Sequence, residues 1–143
     1  GSSLITPHEG EADNMLRVEP GTAAGHRLKS TKELSARFGT ALLKGPYSLC
    51  CDRGVTGIVL ETSPALAIPG SGDVLSGIAG SLLARGLSPL KSALAAAVVH
   101  ASTGKELARR FQSETGLLSS EIADALPYTI ARLFPGPYRL PSQ

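Results

Sequence analysis

The stretch that decides the fold is Pro69-Gly70-Ser71-Gly72-Asp73, which stands between an extended run, Pro64 to Ile68, and a long amphipathic segment. The two glycines allow a tight turn that exposes consecutive backbone N–H groups. A helix that begins at this turn adds partial positive charge at its N-terminus, so the pattern predicts an anion cradle suited to phosphate. Short glycine motifs also form ordinary turns before helices, and the spacing alone leaves that interpretation open.

Two charged residues give the cradle a possible chemistry. Asp73 falls in the first helical turn, where its carboxylate can either cap the helix or accept a proton from a substrate hydroxyl held beside the phosphate. Lys44-Gly45 ends a predicted strand, and a lysine there can reach phosphate oxygens as a mobile point charge. Taken alone, a strand-end lysine is more often a solvated surface residue.

The elements predicted before the cradle are mostly strands. Segment Ser3 to Thr6 has the pattern of a short buried strand, and the stretch from Asp13 to Gly25 is polar and contains the turn-forming pair Pro20-Gly21. Ser30-Thr31-Lys32-Glu33 has the form of a capping box, which predicts a helix from about Thr31 to Phe38. Three β-like runs follow, and the last two could pair as a hairpin: Thr40 to Leu43, Tyr47 to Cys51 and Thr56 to Leu60.

The elements predicted after the cradle are helices. One runs from Asp73 to Ala84 with a single apolar face, and a second is capped by Ser88 and reaches Phe111. A third opens at Ser119, where Pro127 predicts a kink or a shortened hydrogen-bond ladder, and the tail from Pro135 is expected to be a packed or loose strap. Strands followed by helices predict an α/β chain, a half-sheet covered by helices.

Composition excludes several classes of protein. The 143 residues fit one domain that needs no metal or disulfide to fold, and 42% hydrophobic with 18% charged residues is typical of a globular protein without membrane spans. Fourteen basic against twelve acidic residues give a net charge of +2, too balanced for a nucleic-acid binder. The sequence opens without a signal-like pattern, so the cytoplasm is the expected compartment.

The cysteines and histidines do not predict a bridge or a metal. Cys50 and Cys51 are adjacent, so on a strand their side chains point to opposite faces and reduced thiols are expected. His8, His26 and His100 lie far apart in sequence, and no structural metal is predicted. His100 falls on an apolar helical stretch, which favours a buried, hydrogen-bonded packing residue over a ligand.

A last cluster follows the first strand. Thr6-Pro7-His8-Glu9-Gly10-Glu11 brings one imidazole and two carboxylates to a strand end, the position where α/β proteins form ligand sites. A polar turn without function is the alternative.

Three of these segments together resemble the NAD(P)H-hydrate dehydratase family of the ribokinase-like superfamily in both order and spacing: Leu4 to Glu11, Leu43 to Gly45, and Gly70 to Gly77. The similarity continues through His100 to Pro127 and covers nearly the whole chain. Many ribokinase-like kinases share the Gly-Asp cradle, whereas Thr-Pro-His-x-Gly-Glu is more particular to the ADP-dependent bacterial dehydratases. The resemblance implies a ribokinase-like three-layer α/β fold, of which residues 1–143 would be the C-terminal half.

The resemblance also implies an activity, ADP-dependent dehydration of hydrated NADH or NADPH, a lyase reaction that repairs nicotinamide nucleotides. A phosphoryl group would pass from ADP, or ATP, to the ring hydroxyl, phosphate would then be lost, and Mg²⁺ would assist. Asp73 would deprotonate the hydroxyl, and His8 would contact the hydrated dinucleotide. The residues that would hold the nucleotide are Lys44, Gly45, Pro46, Tyr47, Ser48, Gly70, Ser71 and Gly72.

The chain departs from the family pattern at three points. The family usually has a small residue where Pro46 stands, and Thr-Gly-Asn where this chain has Glu61-Thr62-Ser63-Pro64. The family domain is also longer, with a segment before the Thr-Pro-His strand that would supply substrate contacts.

Three functions therefore stay open: a dehydratase completed by an upstream half, an ATP-dependent small-molecule kinase, and a non-catalytic nucleotide-binding half-domain. Half of a sheet leaves an exposed edge, which predicts a homo-oligomer or a complex with the upstream half.

Overall fold

A computed structural model describes residues 3–136 as a four-stranded sheet with helices on both faces. The strands lie in the order β1-β2-β3-β4, with β1 parallel to β2 and the other neighbours antiparallel. In chain order the elements are β1 (Leu4–Ile5), α1 (Glu9–Leu16), α2 (Thr22–Gly25), α3 (Arg27–Phe38), β2 (Thr40–Leu43), β3 (Ser48–Asp52), β4 (Val55–Val59), a 3₁₀ turn (Pro64–Leu66), α4 (Ser71–Ala84), α5 (Pro89–Phe111) and α6 (Ser119–Leu133).

Alternation along β2 creates the three layers. Leu42 packs with Cys50 and with residues of α4 and α5 in one core, whereas Ala41 and Leu43 pack with residues of α1 and α3 in another. Successive side chains of a strand point to opposite faces, so one buried strand serves both cores. This arrangement confirms the predicted three-layer α/β fold.

The hairpin and the long helices agree with the sequence prediction. β3 and β4 pair with Leu49 opposite Ile58, and each strand lies one residue from its predicted bounds. The turn between them holds Arg53 at φ 48° and Gly54 at φ 86°, the left-handed pair that suits a two-residue hairpin loop. Helix α5 spans the predicted range after Ser88, whose hydroxyl caps it.

The prediction for the region before β2 was wrong in two respects. The polar stretch from Asp13 to Gly25, where the sequence indicated only a turn, contains the second half of α1 and all of α2. It is ordered by the buried carboxylate of Asp13, which accepts hydrogen bonds from the N–H groups of Gly21 and Ala23 at 2.7 Å each. Helix α3 begins at Arg27, and Ser30 and Thr31 lie buried inside it. The capping-box pattern was misleading because Ser30 and Thr31 do not cap the helix. Their small polar side chains are buried within it, where α3 packs against the rest of the protein.

The prediction for the run before the cradle was also wrong, whereas the prediction for Pro127 agrees in part with the structure. The run predicted as extended before the cradle forms a 3₁₀ turn, Pro64–Leu66. Pro127 removes one donor from the hydrogen-bond ladder of α6, as predicted, and the helix continues to Leu133. Pro127 and Ala123, whose carbonyl loses its helical donor, are both exposed, so water can satisfy that carbonyl. The predicted strap after Pro135 lies almost entirely outside the described residues.

The two cysteines are buried free thiols in β3. Burial raises the pKa of the Cys50 thiol to about 12, with smaller contributions from the neighbouring Cys51 and Asp52, so this thiol stays protonated. Across residues 3–136, no helix is long and apolar enough to cross a membrane.

Candidate active site

The cradle is the turn into α4. Gly70 adopts φ 81°, which favours glycine, and a Cβ added there would come 2.9 Å from the Ser119 hydroxyl oxygen, so the Ser119 side chain would have to shift. The N–H of Ser71 donates to the Ile68 carbonyl at 3.3 Å and that of Asp73 to the Gly70 carbonyl at 3.1 Å. Within residues 3–136, the N–H of Gly72 between them has no acceptor. A free N–H at a helix N-terminus is the donor that a phosphate oxygen needs.

The side chain of Ser71 is held by His100 of α5. The Ser71 hydroxyl and the His100 Nε2 lie 3.0 Å apart, and both residues are more than nine-tenths buried. Burial lowers the pKa of His100 to about 4, the Lys44 charge adds to this effect, and the contact with Ser71 opposes it. The sequence predicted a buried, hydrogen-bonded histidine, which is confirmed; it did not predict that the partner is the cradle.

Lys44 places its charge over the cradle. A Cβ added at Gly72 would lie 3.0 Å from the Lys44 ammonium nitrogen, and that nitrogen is 3.6 Å from Glu11 Oε2. The Lys44 backbone N–H donates to the Pro7 carbonyl at 2.8 Å, which ties the end of β2 to the turn after β1. The lysine is thus a three-quarters buried side chain beside a helix N-terminus, and not a solvated strand end.

The turn after β1 is the N-terminus of α1, closed by a capping box. His8 Nδ1 accepts from the Glu11 N–H at 3.1 Å, and the Glu11 carboxylate accepts from the His8 N–H at 2.6 Å. Partial burial acts to raise the pKa of Glu11, but the His8 hydrogen bond and the Lys44 charge outweigh it and leave that pKa lowered. Glu11 received no separate role from the sequence, although its three-residue spacing from His8 is the spacing of a capping box.

The loop between β2 and β3 is held by Arg27, the first residue of α3. Its guanidinium donates to the carbonyls of Leu43 at 3.5 Å, Lys44 at 3.4 Å and Tyr47, and it forms an ion pair with Glu9. A Cβ at Gly45 would overlap this guanidinium. The sequence carries no local pattern that predicts the role of Arg27, because the contacts join residues far apart in the chain.

These parts surround one cavity of about 880 Å³. It brings together most of the residues that the sequence singled out: His8, Lys44, Gly45, Pro46, Tyr47, Ser48, Ser71, Gly72 and His100. Segment 61–64, which replaces the family's Thr-Gly-Asn, also lines it, and Glu61 pairs with Lys105 of α5 at 2.5 Å. A second cavity of about 680 Å³ lies at the other end of the sheet, beside Asp52 and Arg53.

Gly70 and Asp73 flank Ser71 and Gly72 in the chain but do not line the cavity. Asp73 lies exposed in the first turn of α4, directly after Gly72. Its carboxylate is therefore open to solvent, and Asp73 is not among the residues that line the cavity.

Comparison with known proteins gives a consistent result. The sequence model of the family described as NAD(P)H-hydrate dehydratase matches residues 1–128. An ADP-dependent (S)-NAD(P)H-hydrate dehydratase from Cenarchaeum symbiosum is 40% identical over 103 residues, which cover 71% of this chain and 36% of that protein.

Solved structures show the same fold. The ADP/ATP-dependent NAD(P)H-hydrate dehydratase from Bacillus subtilis, co-crystallised with ATP/Mg²⁺, superposes with a TM-score of 0.84 at 29% identity, over 92% of this chain and 48% of that one. A ribokinase-like superfamily protein from Enterococcus faecalis V583 gives 0.73 at 25% identity, over 90% and 44%. This chain spans about half or less of the length of these relatives. The ribokinase-like fold predicted from the sequence is confirmed, and the chain belongs to the NAD(P)H-hydrate dehydratase family.

Proposed function

We propose that residues 1–143 form the nucleotide-binding, C-terminal half of an ADP-dependent NAD(P)H-hydrate dehydratase. The observation that carries the proposal is the Lys44 ammonium placed over Gly72, whose N–H is free for an anion. Together they offer a point charge, a backbone donor and a helix N-terminus to the terminal phosphate of a nucleotide. Loop 44–48 forms another wall of the same cavity and would contact the rest of the nucleotide.

Asp73 would act as the base. In the proposed reaction, its carboxylate takes the proton of the hydroxyl on the hydrated nicotinamide ring as that oxygen bonds to the terminal phosphorus of ADP. The bond from this phosphorus to the bridging oxygen breaks, and AMP leaves with the electron pair. Loss of phosphate from the ring then breaks the carbon–oxygen bond, a ring proton is released, and NADH or NADPH is regenerated. The exposed position of Asp73 fits a substrate that approaches from outside the cavity.

The donor set suits a magnesium ion that arrives with the nucleotide. Residues 3–136 hold no group of three His, Cys, Asp or Glu side chains able to bind a metal by themselves. Magnesium in phosphoryl-transfer sites is usually held by one or two carboxylates together with phosphate oxygens. Glu11, 3.6 Å from Lys44, and Asp73, next to Gly72, are the carboxylates beside the cradle. Bound there, Mg²⁺ would neutralise phosphate charge.

In this proposal, the surface that contacts the substrate includes residues of the family domain other than residues 1–143. The solved relative is about twice as long, and Asp73 here faces open solvent. Within residues 3–136, β1 pairs with β2 alone and leaves its other edge open. We propose that the other half of the domain covers this side and completes the site for the hydrated dinucleotide. Without it, an open edge favours self-association.

The exposure of Asp73 also supports a second candidate, a half-domain that binds nucleotide without catalysis. Titration calorimetry with Mg²⁺-ADP and Mg²⁺-ATP tests the part common to both candidates. Lys44→Ala should weaken binding at least severalfold, whereas Lys32→Ala, an exposed lysine of α3, should not. Equal binding by the wild type and both variants would refute the phosphate role of Lys44, and with it the proposed site.

A further inference from the structure

Arg27 has a position that helix stability does not explain. It is the first residue of α3, where the positive end of the helix dipole disfavours a cation. Its side chain is nevertheless four-fifths buried. A charged group this buried is stable only when several hydrogen bonds replace water.

The hydrogen bonds that replace water around the Arg27 guanidinium come from carbonyl groups on both sides of the loop between β2 and β3. The guanidinium reaches the carbonyls of Leu43 and Lys44 before the loop turns, and the carbonyl of Tyr47 after it. The N–H groups of Gly45 and Tyr47 form no backbone hydrogen bond within the described chain, and Pro46 has no N–H, so the contacts of Arg27 restrain a loop that lacks backbone bonds of its own. Its planar fork of donors suits carbonyls that converge from different directions.

Glu9 connects the same guanidinium to the His8 turn. Its carboxylate pairs with Arg27, and Glu9 is the first residue of α1, directly after His8. An acidic residue is favourable at that helix end. One partly buried ion pair therefore joins the loop that lines the nucleotide side of the cavity to the turn that carries His8.

We propose that Arg27 is a positioning residue that fixes loop 44–48 and the His8 turn relative to each other, so that nucleotide binding and substrate binding are coupled. The inference rests on the proposed function for the identity of the two ligands. Its structural part, one clamp shared by two segments, holds for the chain without ligand.

Gly45 offers a way to disturb the clamp without removing a charge. The space for its Cβ is occupied by the guanidinium, so Gly45→Ala should displace Arg27 from the loop carbonyls while Arg27 and Glu9 remain present. Arg37, on the same helix, is a matched control. It pairs with Glu33 and donates to the Leu16 carbonyl, away from the loop.

The test is amide hydrogen exchange of the chain without and with Mg²⁺-ADP, for the wild type, Arg27→Met, Gly45→Ala and Arg37→Met. Without ligand, Arg27→Met and Gly45→Ala should speed exchange of the hydrogen-bonded amides in segments 8–12 and 43–48, among them those of Glu11 and Lys44, by about tenfold or more, since the charge-assisted bonds that hold both segments are lost. Arg37→Met should leave both segments at the wild-type rate. With Mg²⁺-ADP, exchange in segment 8–12 should slow in the wild type and not in the two clamp variants.

Wild-type exchange rates in both segments of Gly45→Ala and Arg27→Met would overturn the proposal, as would an equal increase in Arg37→Met. Faster exchange in segment 43–48 alone would refute the coupling to His8. If Arg27→Met does not fold, Gly45→Ala gives the answer. If the wild type shows no response to Mg²⁺-ADP, the proposed function fails, while the ligand-free rates still decide whether Arg27 clamps the two segments.

Discussion

Acid should destabilise this protein through His100, the buried partner of the cradle. The pKa of His100 is lowered to about 4 from an ordinary value of 6.5, chiefly by burial. The unfolded chain therefore binds a proton more readily than the folded chain between these two values. The contribution of the neutral imidazole to stability is complete above pH 6.5 and is lost progressively as the pH falls towards 4.

The expected size follows from the shift. Acidification from pH 7 to pH 4.5 covers most of the interval between the pKa of the unfolded chain, 6.5, and that of the folded chain, about 4. Each pH unit within this interval lowers the free energy of unfolding by about 1.4 kcal/mol. The free energy of unfolding should therefore fall by about 2 kcal/mol through this one group. Other acidic and basic groups add their own pH dependence, so the effect must be measured as a difference between variants.

The assay is urea denaturation of the wild type and His100→Gln at pH 7 and pH 4.5. Glutamine keeps a polar group near Ser71 but does not titrate, so the wild type should lose about 2 kcal/mol more than the variant on acidification. His26→Gln is the control, because His26 is exposed and its side chain forms no capping hydrogen bond. If the difference in unfolding free energy between the wild type and His100→Gln is the same at both pH values, the claim that His100 is buried in its neutral form is refuted.

Three further predictions concern the cradle. In a protein that contains both halves of the site, Asp73→Asn should lower turnover by about 10²–10⁴-fold while Mg²⁺-ADP affinity stays nearly unchanged, since the backbone donors remain; unchanged turnover would exclude the base role. Lys44→Ala should weaken Mg²⁺-ADP binding in calorimetry more than it lowers the melting temperature, and the reverse pattern would assign Lys44 to structure. Gly70→Ala should destabilise the chain by about 1–3 kcal/mol in urea, because φ 81° is strained for alanine and its Cβ meets Ser119; wild-type stability would show that the turn relaxes freely.

Local patterns predicted the parts of this fold that depend on neighbouring residues. The glycine turn into α4, the Ser88 cap of α5 and the β3–β4 hairpin each follow from a short run of residues and were found near their predicted positions. Helix α1 was missed because its N-cap is a histidine, and its signal, Glu11 three residues after His8, was interpreted as a possible ligand site. In the structure His8 both caps the helix and lines the cavity, so the two interpretations do not exclude each other.

The contacts that complete the candidate site could not be predicted from short-range patterns. His100 reaches Ser71 from 29 residues away, and Arg27 reaches the loop from up to 20 residues away. Such pairs depend on how α3 and α5 pack on opposite faces of the sheet, and no single segment carries that information. The sequence placed the residue types at the right strand and helix ends, and packing decided which of them meet.

The most direct test of the central claim is the conversion of NADH hydrate with Mg²⁺-ADP, by residues 1–143 alone and after addition of a polypeptide that supplies the other half of the family domain. We expect little or no NADH from the chain alone, which should self-associate in light scattering. Addition of the other half should restore turnover and yield NADH, AMP and phosphate in equal amounts. A phosphorylated dinucleotide that accumulates without NADH would identify a kinase, and full turnover by a monomer of residues 1–143 would contradict the claim that they hold only half of the site.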